Sequence, residues 1–141
     1  MSALVEMLYP APVARRTPVA IIGWWESRRW MYNRVVGCAG LFTMGVVGLF
    51  SLLPGGPPPM PFEAMFVAPL VYGIAANLCY TSGWAIELFA KAVWGHRAPH
   101  VGPLLFREGL LFSVGLTLLP VPVFVIISTL VSLAFRPHLA T

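Results

Sequence analysis

Three long stretches of this chain contain no charged residue. They lie between Arg34 and Glu63, between Glu63 and Glu87, and between Glu108 and Arg136. At about 1.5 Å of rise per residue, helices over these stretches would be roughly 28 to 40 Å long. The hydrocarbon core of a bilayer is about 30 Å thick. The pattern therefore predicts an all-α integral membrane protein with three transmembrane helices.

The charge pattern also sets the expected boundaries. We place the spans at about residues 34–53, 64–90 and 104–135, within a transmembrane domain of residues 34–135. A cytoplasmic and interfacial arm of residues 1–33 precedes this domain, and a short tail of residues 136–141 follows it. Residues 1–16 are expected to be irregular. Thr17 and Pro18 are typical of a helix start, so a short interfacial helix should follow them.

Proline and glycine separate the predicted spans. Residues 54–59 read Pro-Gly-Gly-Pro-Pro-Pro and should form a turn, because they cannot continue a helix. Glu63 suits the start of the second helix, where a carboxylate complements the helix dipole. Residues 95–103 contain a second set of helix breakers. Glu87 and Lys91, four residues apart, are expected to pair near the membrane surface.

Composition and charge distribution support a membrane location. Only 10% of the residues are charged and 58% are hydrophobic, too few charges to cover the surface of a soluble domain. Eight of the nine basic residues flank the predicted cytoplasmic side: Arg15, Arg16, Arg28, Arg29, Arg34, Lys91, Arg97 and Arg107. The positive-inside rule then predicts a plasma or inner membrane protein with a cytoplasmic N-terminus and the C-terminus on the opposite side. The distribution argues against nucleic-acid binding.

Small residues follow one face of each of the first two spans. They are Gly37, Gly40, Gly45 and Gly48 on the first, and Ala68, Ala75, Cys79 and Ser82 on the second. Small residues let membrane helices approach closely. We expect these faces to meet each other or to dock against a partner subunit. The alternative is that glycine is simply common in membrane helices.

Asn77 and Thr81 are the polar residues expected on one intramembrane face. An amide costs several kcal/mol in hydrocarbon without a partner, so Asn77 should face protein. An interhelical hydrogen bond is the favoured interpretation, and a substrate or ion site is the alternative. In the third span, Pro120 and Pro122 predict a kink, with Thr117 or Ser113 compensating part of the freed backbone.

Aromatic residues should anchor the start of the first span at the headgroup level: Trp24, Trp25, Trp30 and Tyr32. The three histidines lie in a loop and in the tail, and no zinc set is complete. Cys38 and Cys79 are interpreted as packing residues and not as a disulfide. No catalytic constellation is evident, so the chain is not expected to be an enzyme.

These observations rank three functional hypotheses. The leading one is a small accessory or structural subunit that packs against other subunits of a larger membrane complex. A small oligomeric transporter or channel, with Asn77, Thr81 and the proline kink lining its pathway, is the second. A subunit that contacts a haem or pigment is the third, although the sequence implies no particular cofactor.

Overall fold

The computed structural model describes residues 3–13, 17–52 and 61–135. The predicted turn at residues 54–59, the Arg15–Arg16 pair and the predicted tail at residues 136–141 lie outside these ranges. Within them the chain is all-helical and contains no strand. The helices are α1 (Ala3–Leu8), α2 (Pro18–Ser51), α3 (Phe62–Trp94), α4 (Gly102–Leu118) and α5 (Pro120–Phe135), with a 3₁₀ turn at Gly95–Arg97.

Three helical stretches are long and apolar enough to cross a membrane, which confirms the predicted fold class. They are Pro18–Ser51, Met65–Trp94 and Gly102–Leu130. The first begins earlier than the sequence pattern placed it, because α2 is one continuous helix through the charged and aromatic segment. That segment contains no proline to end a helix after Pro18, so the expected interfacial helix and the first span are joined.

The helix termini follow the predicted signals. Thr17 caps α2, since its hydroxyl accepts a hydrogen bond from the Ala20 backbone amide at 3.2 Å, and Pro18 occupies the first turn. At its C-terminus, α3 ends at Trp94 and is capped by Gly95, whose φ of 57° is a conformation that favours glycine. The short helix α1 lies in the arm that was expected to be irregular.

The three long helical units form an up-down-up bundle. Along α2, Trp25, Tyr32 and Phe50 contact progressively later residues of α4 and α5, so α2 runs parallel to them. Contacts with α3 run in the opposite order, so α3 is antiparallel. The buried apolar core lies mainly at the end where α2 begins: Ile21, Trp25, Tyr32, Val36, Ala76, Tyr80, Phe106 and Leu110.

The third span is interrupted between α4 and α5 at Leu119, directly before Pro120. Proline at 120 and 122 removes two backbone donors at this point. Leu119 keeps helical angles of −52° and −39°, and its amide still bonds to the Gly115 carbonyl at 3.0 Å. The helix is therefore interrupted locally at Leu119, and the predicted kink angle stays a prediction.

Candidate functional site

Trp25, Tyr80 and Phe106 bring α2, α3 and α4 together in an aromatic core. Their ring centroids are 5.4 to 6.3 Å apart in edge-to-face geometry, an arrangement that adds to packing. The Tyr80 hydroxyl donates to the Trp25 carbonyl. Trp25 was expected to anchor at the headgroup level, but its side chain lies inside the bundle.

Glu87 is buried beside this aromatic core, with 3% of its surface exposed. The indole nitrogen of Trp25 donates to its Oε2 at 2.9 Å. A Cβ atom at Gly102 would lie 2.4 Å from the same oxygen, so α4 begins against the carboxylate because residue 102 has no side chain. The sequence pattern placed Glu87 in a surface pair with Lys91. In the fold it instead connects α3 to α2 and the start of α4.

Hydroxyl groups link the three helices next to the aromatic core. Tyr32 bonds to the Ser113 hydroxyl at 2.8 Å and donates to the Ala76 carbonyl at 3.3 Å. Tyr72 reaches the Ser113 carbonyl at 2.9 Å and the Thr117 hydroxyl at 2.5 Å. We call the side chains of Tyr32, Thr43, Tyr72, Ser113 and Thr117 the hydroxyl network. Tyr32, another predicted interfacial anchor, is thus buried.

The hydroxyl network also reaches the interruption before Pro120. Thr117 donates to the Ser113 carbonyl within α4 at 2.6 Å. The carbonyl of Thr117 itself accepts a hydrogen bond from the Thr43 hydroxyl of α2 at 2.8 Å. The Thr117 hydroxyl thus bonds one turn back, to Ser113, and the predicted compensation of the carbonyls freed by Pro120 and Pro122 stays a prediction. The contact from α2 was not predicted.

Asn77 and Thr81, the predicted intramembrane polar pair, both contact Arg29 of α2. The Arg29 guanidinium donates to Asn77 Oδ1 at 3.2 Å and to Thr81 Oγ1 at 3.1 Å. It also forms two hydrogen bonds of 2.7 Å with the Glu26 carboxylate. Asn77 in turn donates to Asn33 at 3.1 Å. We call these five residues the Arg29 cluster.

The Arg29 cluster stands at one end of a cleft on the outer face of α3. This cleft has a volume of about 560 Å³. Apolar residues line it apart from the cluster: Pro69, Leu70, Gly73, Ile74 and Leu78. A cation and an apolar trough therefore meet at this surface, and the Glu26 carboxylate is bonded to the cation.

The predicted glycine face of α2 opens on a second space. A groove of about 600 Å³ runs between α2, α3 and the start of α5, and Gly37, Gly40 and Ala68 are among the residues that line it. Among the residues that the structure describes, an added Cβ at Gly37, Gly45 or Gly48 would meet no atom within 4 Å. At Gly40 the nearest atom is Thr117 Cγ2 at 3.8 Å. These glycines do not support close helix contact within the chain.

The other predicted positions are distributed over the surface. Ala75, Cys79 and Ser82 of α3 are exposed, and the Ser82 hydroxyl donates to the Cys79 carbonyl within the helix. Cys38 is exposed as well. Two predicted anchors remain near the surface. Trp24 donates to the Ala11 carbonyl at 2.8 Å, and Trp30 is 71% exposed beside the Arg34 guanidinium.

No group of three or more histidine, cysteine, aspartate or glutamate side chains suited to a metal occurs in the described part of the chain. His96 lies in the 3₁₀ turn, His100 is exposed, and His138 lies outside the described residues. No family model, no curated protein and no solved structure matches this chain. The case for a function therefore depends on the two open surfaces and the contacts beside them.

Sequence reasoning missed the roles of Arg29, Glu87 and Tyr72. Arg29 was interpreted as one of the basic residues that set the orientation, and Glu87 as half of a surface pair with Lys91. Their contacts depend on the register of α2 against α3, which no local pattern sets. One available signal was the spacing of Glu26 and Arg29, three residues apart on a helix and so on one face.

Proposed function

We propose that this protein is an accessory or structural subunit of a membrane complex, and that α2 packs against a transmembrane helix of another subunit. The observation that carries the proposal is the glycine face. Gly37, Gly45 and Gly48 have open space where a side chain would begin, in the part of the chain that the structure describes. Among the described residues, no other helix therefore packs closely against these three glycines.

The membrane environment explains why such a face needs a helix as its partner. Lipid tails are as apolar as leucine, so burial of apolar surface does not drive helices together. Small residues favour association because the two backbones can approach and make many van der Waals contacts. Against lipid alone, a row of glycines offers no such gain and lowers helix propensity by up to about 1 kcal/mol per residue relative to alanine.

The same proposal includes an orientation. Basic residues gather around the end of the bundle where α2 begins, including Arg28, Arg29 and Arg34. By the positive-inside rule this end faces the cytoplasm, which places the N-terminus there and the C-terminus on the opposite side of a plasma or inner membrane. Reporter enzymes fused to the two termini should be active on opposite sides.

The partner helix can be tested with two substitutions on the open face. We expect the double variant Gly45→Leu and Gly48→Leu to lose a stoichiometric partner during mild-detergent purification, because leucine blocks close approach. Gly115→Leu is the matched control, since Gly115 of α4 also has no atom within 4 Å of an added Cβ. The control should keep the partner, and both proteins should keep wild-type helical content.

A solitary, monodisperse wild-type monomer from intact membranes would contradict the proposal. The transporter and cofactor alternatives stay predictions. For Asn77, the hydrogen bonds to Arg29 and Asn33 support the interhelical interpretation over a substrate site.

A further inference from the structure

The cleft beside the Arg29 cluster is polar at one end and apolar along the rest of its length, which complements an amphiphile. Its polar end is formed by Arg29, Asn77 and Thr81, and its remaining length is apolar. The cleft extends along α3 from Thr81 to Pro69, a rise of about 18 Å. One leaflet of the hydrocarbon core is about 15 Å deep. The cleft thus matches a lipid in length, with its head at Arg29 and a chain along α3.

The depth of the polar end fits a headgroup. Arg28, Arg29, Arg34 and the exposed Trp30 lie within two turns of α2. Arginine and tryptophan favour the boundary between headgroups and hydrocarbon. Leu70, Ile74 and Leu78 are all more than half exposed on the face of α3 that continues from this level into the apolar region.

The charges at the polar end select the kind of headgroup. The hydrogen bonds of Arg29 to Glu26, Asn77 and Thr81 use four of its five donors, which leaves one N–H on Nη1. Glu26 neutralises Arg29 but stays 43% exposed, with acceptor capacity left on both oxygens. An anionic headgroup would gain little from this neutral pair. A headgroup with one phosphate and one primary ammonium complements both members.

We propose that this cleft binds an aminophospholipid, with its phosphate at Arg29, its ammonium at Glu26 and an acyl chain against Leu70, Ile74 and Leu78. Phosphatidylcholine carries the same phosphate but its quaternary ammonium has no N–H to donate. The site therefore distinguishes two zwitterionic lipids by hydrogen bonding. Neither Gly45 nor Gly48 lines this cleft, so variants at those two positions leave the lipid site itself unchanged.

The headgroup preference can be measured by native mass spectrometry of the protein. The protein is released from nanodiscs of equal parts phosphatidylethanolamine, phosphatidylcholine and phosphatidylglycerol. We expect phosphatidylethanolamine to be retained about fivefold over phosphatidylcholine, the net effect of roughly one hydrogen bond. In Glu26→Gln this preference should disappear and phosphatidylglycerol should become the favoured lipid, because Arg29 is no longer neutralised.

Glu108→Gln is the control for that change, since Glu108 also pairs with an arginine, but that arginine, Arg107, does not line the cleft as Arg29 does. It should keep the wild-type lipid profile. Equal retention of the three lipids by the wild-type protein would overturn the proposal, and so would a wild-type preference for phosphatidylglycerol.

A second pair of variants tests the acyl chain. Ile74→Trp should fill the cleft and lower phosphatidylethanolamine retention about fivefold, whereas Ile86→Trp should not. Both isoleucines lie on α3 and are similarly exposed, 55% and 51%, but Ile86 does not line the cleft. Equal retention by the two variants would contradict the proposed position of the chain. The result is independent of partner recovery in Gly45→Leu and Gly48→Leu, so the two proposals can fail separately.

Discussion

Two halves of the bundle are built from the same apolar helices but differ in how closely those helices pack. In the closed half, residues 21–36 of α2 pack against residues 76–90 of α3 and 102–113 of α4. This half holds the aromatic core and buried Glu87. The open half comprises residues 37–51, 62–75 and 119–135. It contains most of the residues that line the apolar groove, and many of its large side chains are exposed.

The difference shows what holds helices together in lipid. Both halves are apolar, yet the closed half also has large aromatic rings in contact and polar groups that form hydrogen bonds between helices. Trp25 makes ring contacts and also donates to Glu87, while Gly45 and Gly48 have no neighbour within 4 Å in the described structure. Hydrophobicity brings a segment into the membrane, and shape and hydrogen bonding decide which segments pack.

The largest effect should come from removing the ring at the centre of the closed half. Trp25→Ala should lower the free energy of unfolding by about 3–5 kcal/mol, because it leaves a cavity and removes the donor to Glu87. Trp30→Ala, at an exposed position one turn later, should change it by less than about 0.5 kcal/mol. Sodium dodecyl sulfate titration followed by far-ultraviolet circular dichroism measures both. Equal losses would show that the closed half is not the more tightly packed one.

A single added methyl group should change the free energy of unfolding in opposite directions in the two halves. A Cβ at Gly83 would lie 2.6 Å from the Trp25 ring, whose position is fixed by ring contacts and by the hydrogen bond to Glu87, so Gly83→Ala should destabilise by about 1–3 kcal/mol. Gly48→Ala meets open space and should be neutral or stabilise by up to about 1 kcal/mol through helix propensity. The same sodium dodecyl sulfate titration measures the free energy of unfolding of both variants. Destabilisation by Gly48→Ala in the isolated protein would contradict the open half.

Deleting one hydroxyl from the hydroxyl network should have a smaller effect. Tyr32→Phe removes the contacts with Ser113 and Ala76 and should cost about 0.6–1.7 kcal/mol, the range of interhelical hydrogen bonds in membranes. Tyr9→Phe, at an exposed position in the arm, serves as the control. If the two changes cost the same, the network adds nothing beyond packing.

The smallest effect is expected where the halves meet. Thr43→Val keeps the side-chain shape but removes the donor to the Thr117 carbonyl, at a cost of about 0.6 kcal/mol. Hydrogen exchange of α5 amides should become faster, while amides near Trp25 should be unaffected. Unchanged exchange in α5 would show that Thr43 does not stabilise the interruption before Pro120.

The helices could be predicted from the sequence because their causes are local. Uncharged stretches, the Thr17–Pro18 start and Gly95 act within a few residues of where they stand. The continuity of α2 was missed because charges were taken as the end of a span. Trp25 and Tyr32 were assigned to the surface by residue type, and only the register against α3 and α4 shows that they face inward.

The candidate sites were predictable in part for the same reason. The glycine face and the Asn77–Thr81 pair arise from spacing on a single helix, so the sequence displays them. Arg29 meets Asn77 across 48 positions of sequence, and Glu87 meets Trp25 across 62. These contacts depend on how three helices are offset along their axes, which a single sequence does not encode in any short pattern.

The central claim is that the glycine face of α2 contacts another protein subunit in the membrane. Photo-crosslinking in native membranes from position 41, where exposed Leu41 lies among these glycines and already has a large side chain, tests it most directly, with position 115 as reference. The account predicts one protein adduct of defined mass from position 41, absent when Gly48→Leu is added, and lipid adducts alone from position 115. Lipid adducts alone from both positions would contradict it.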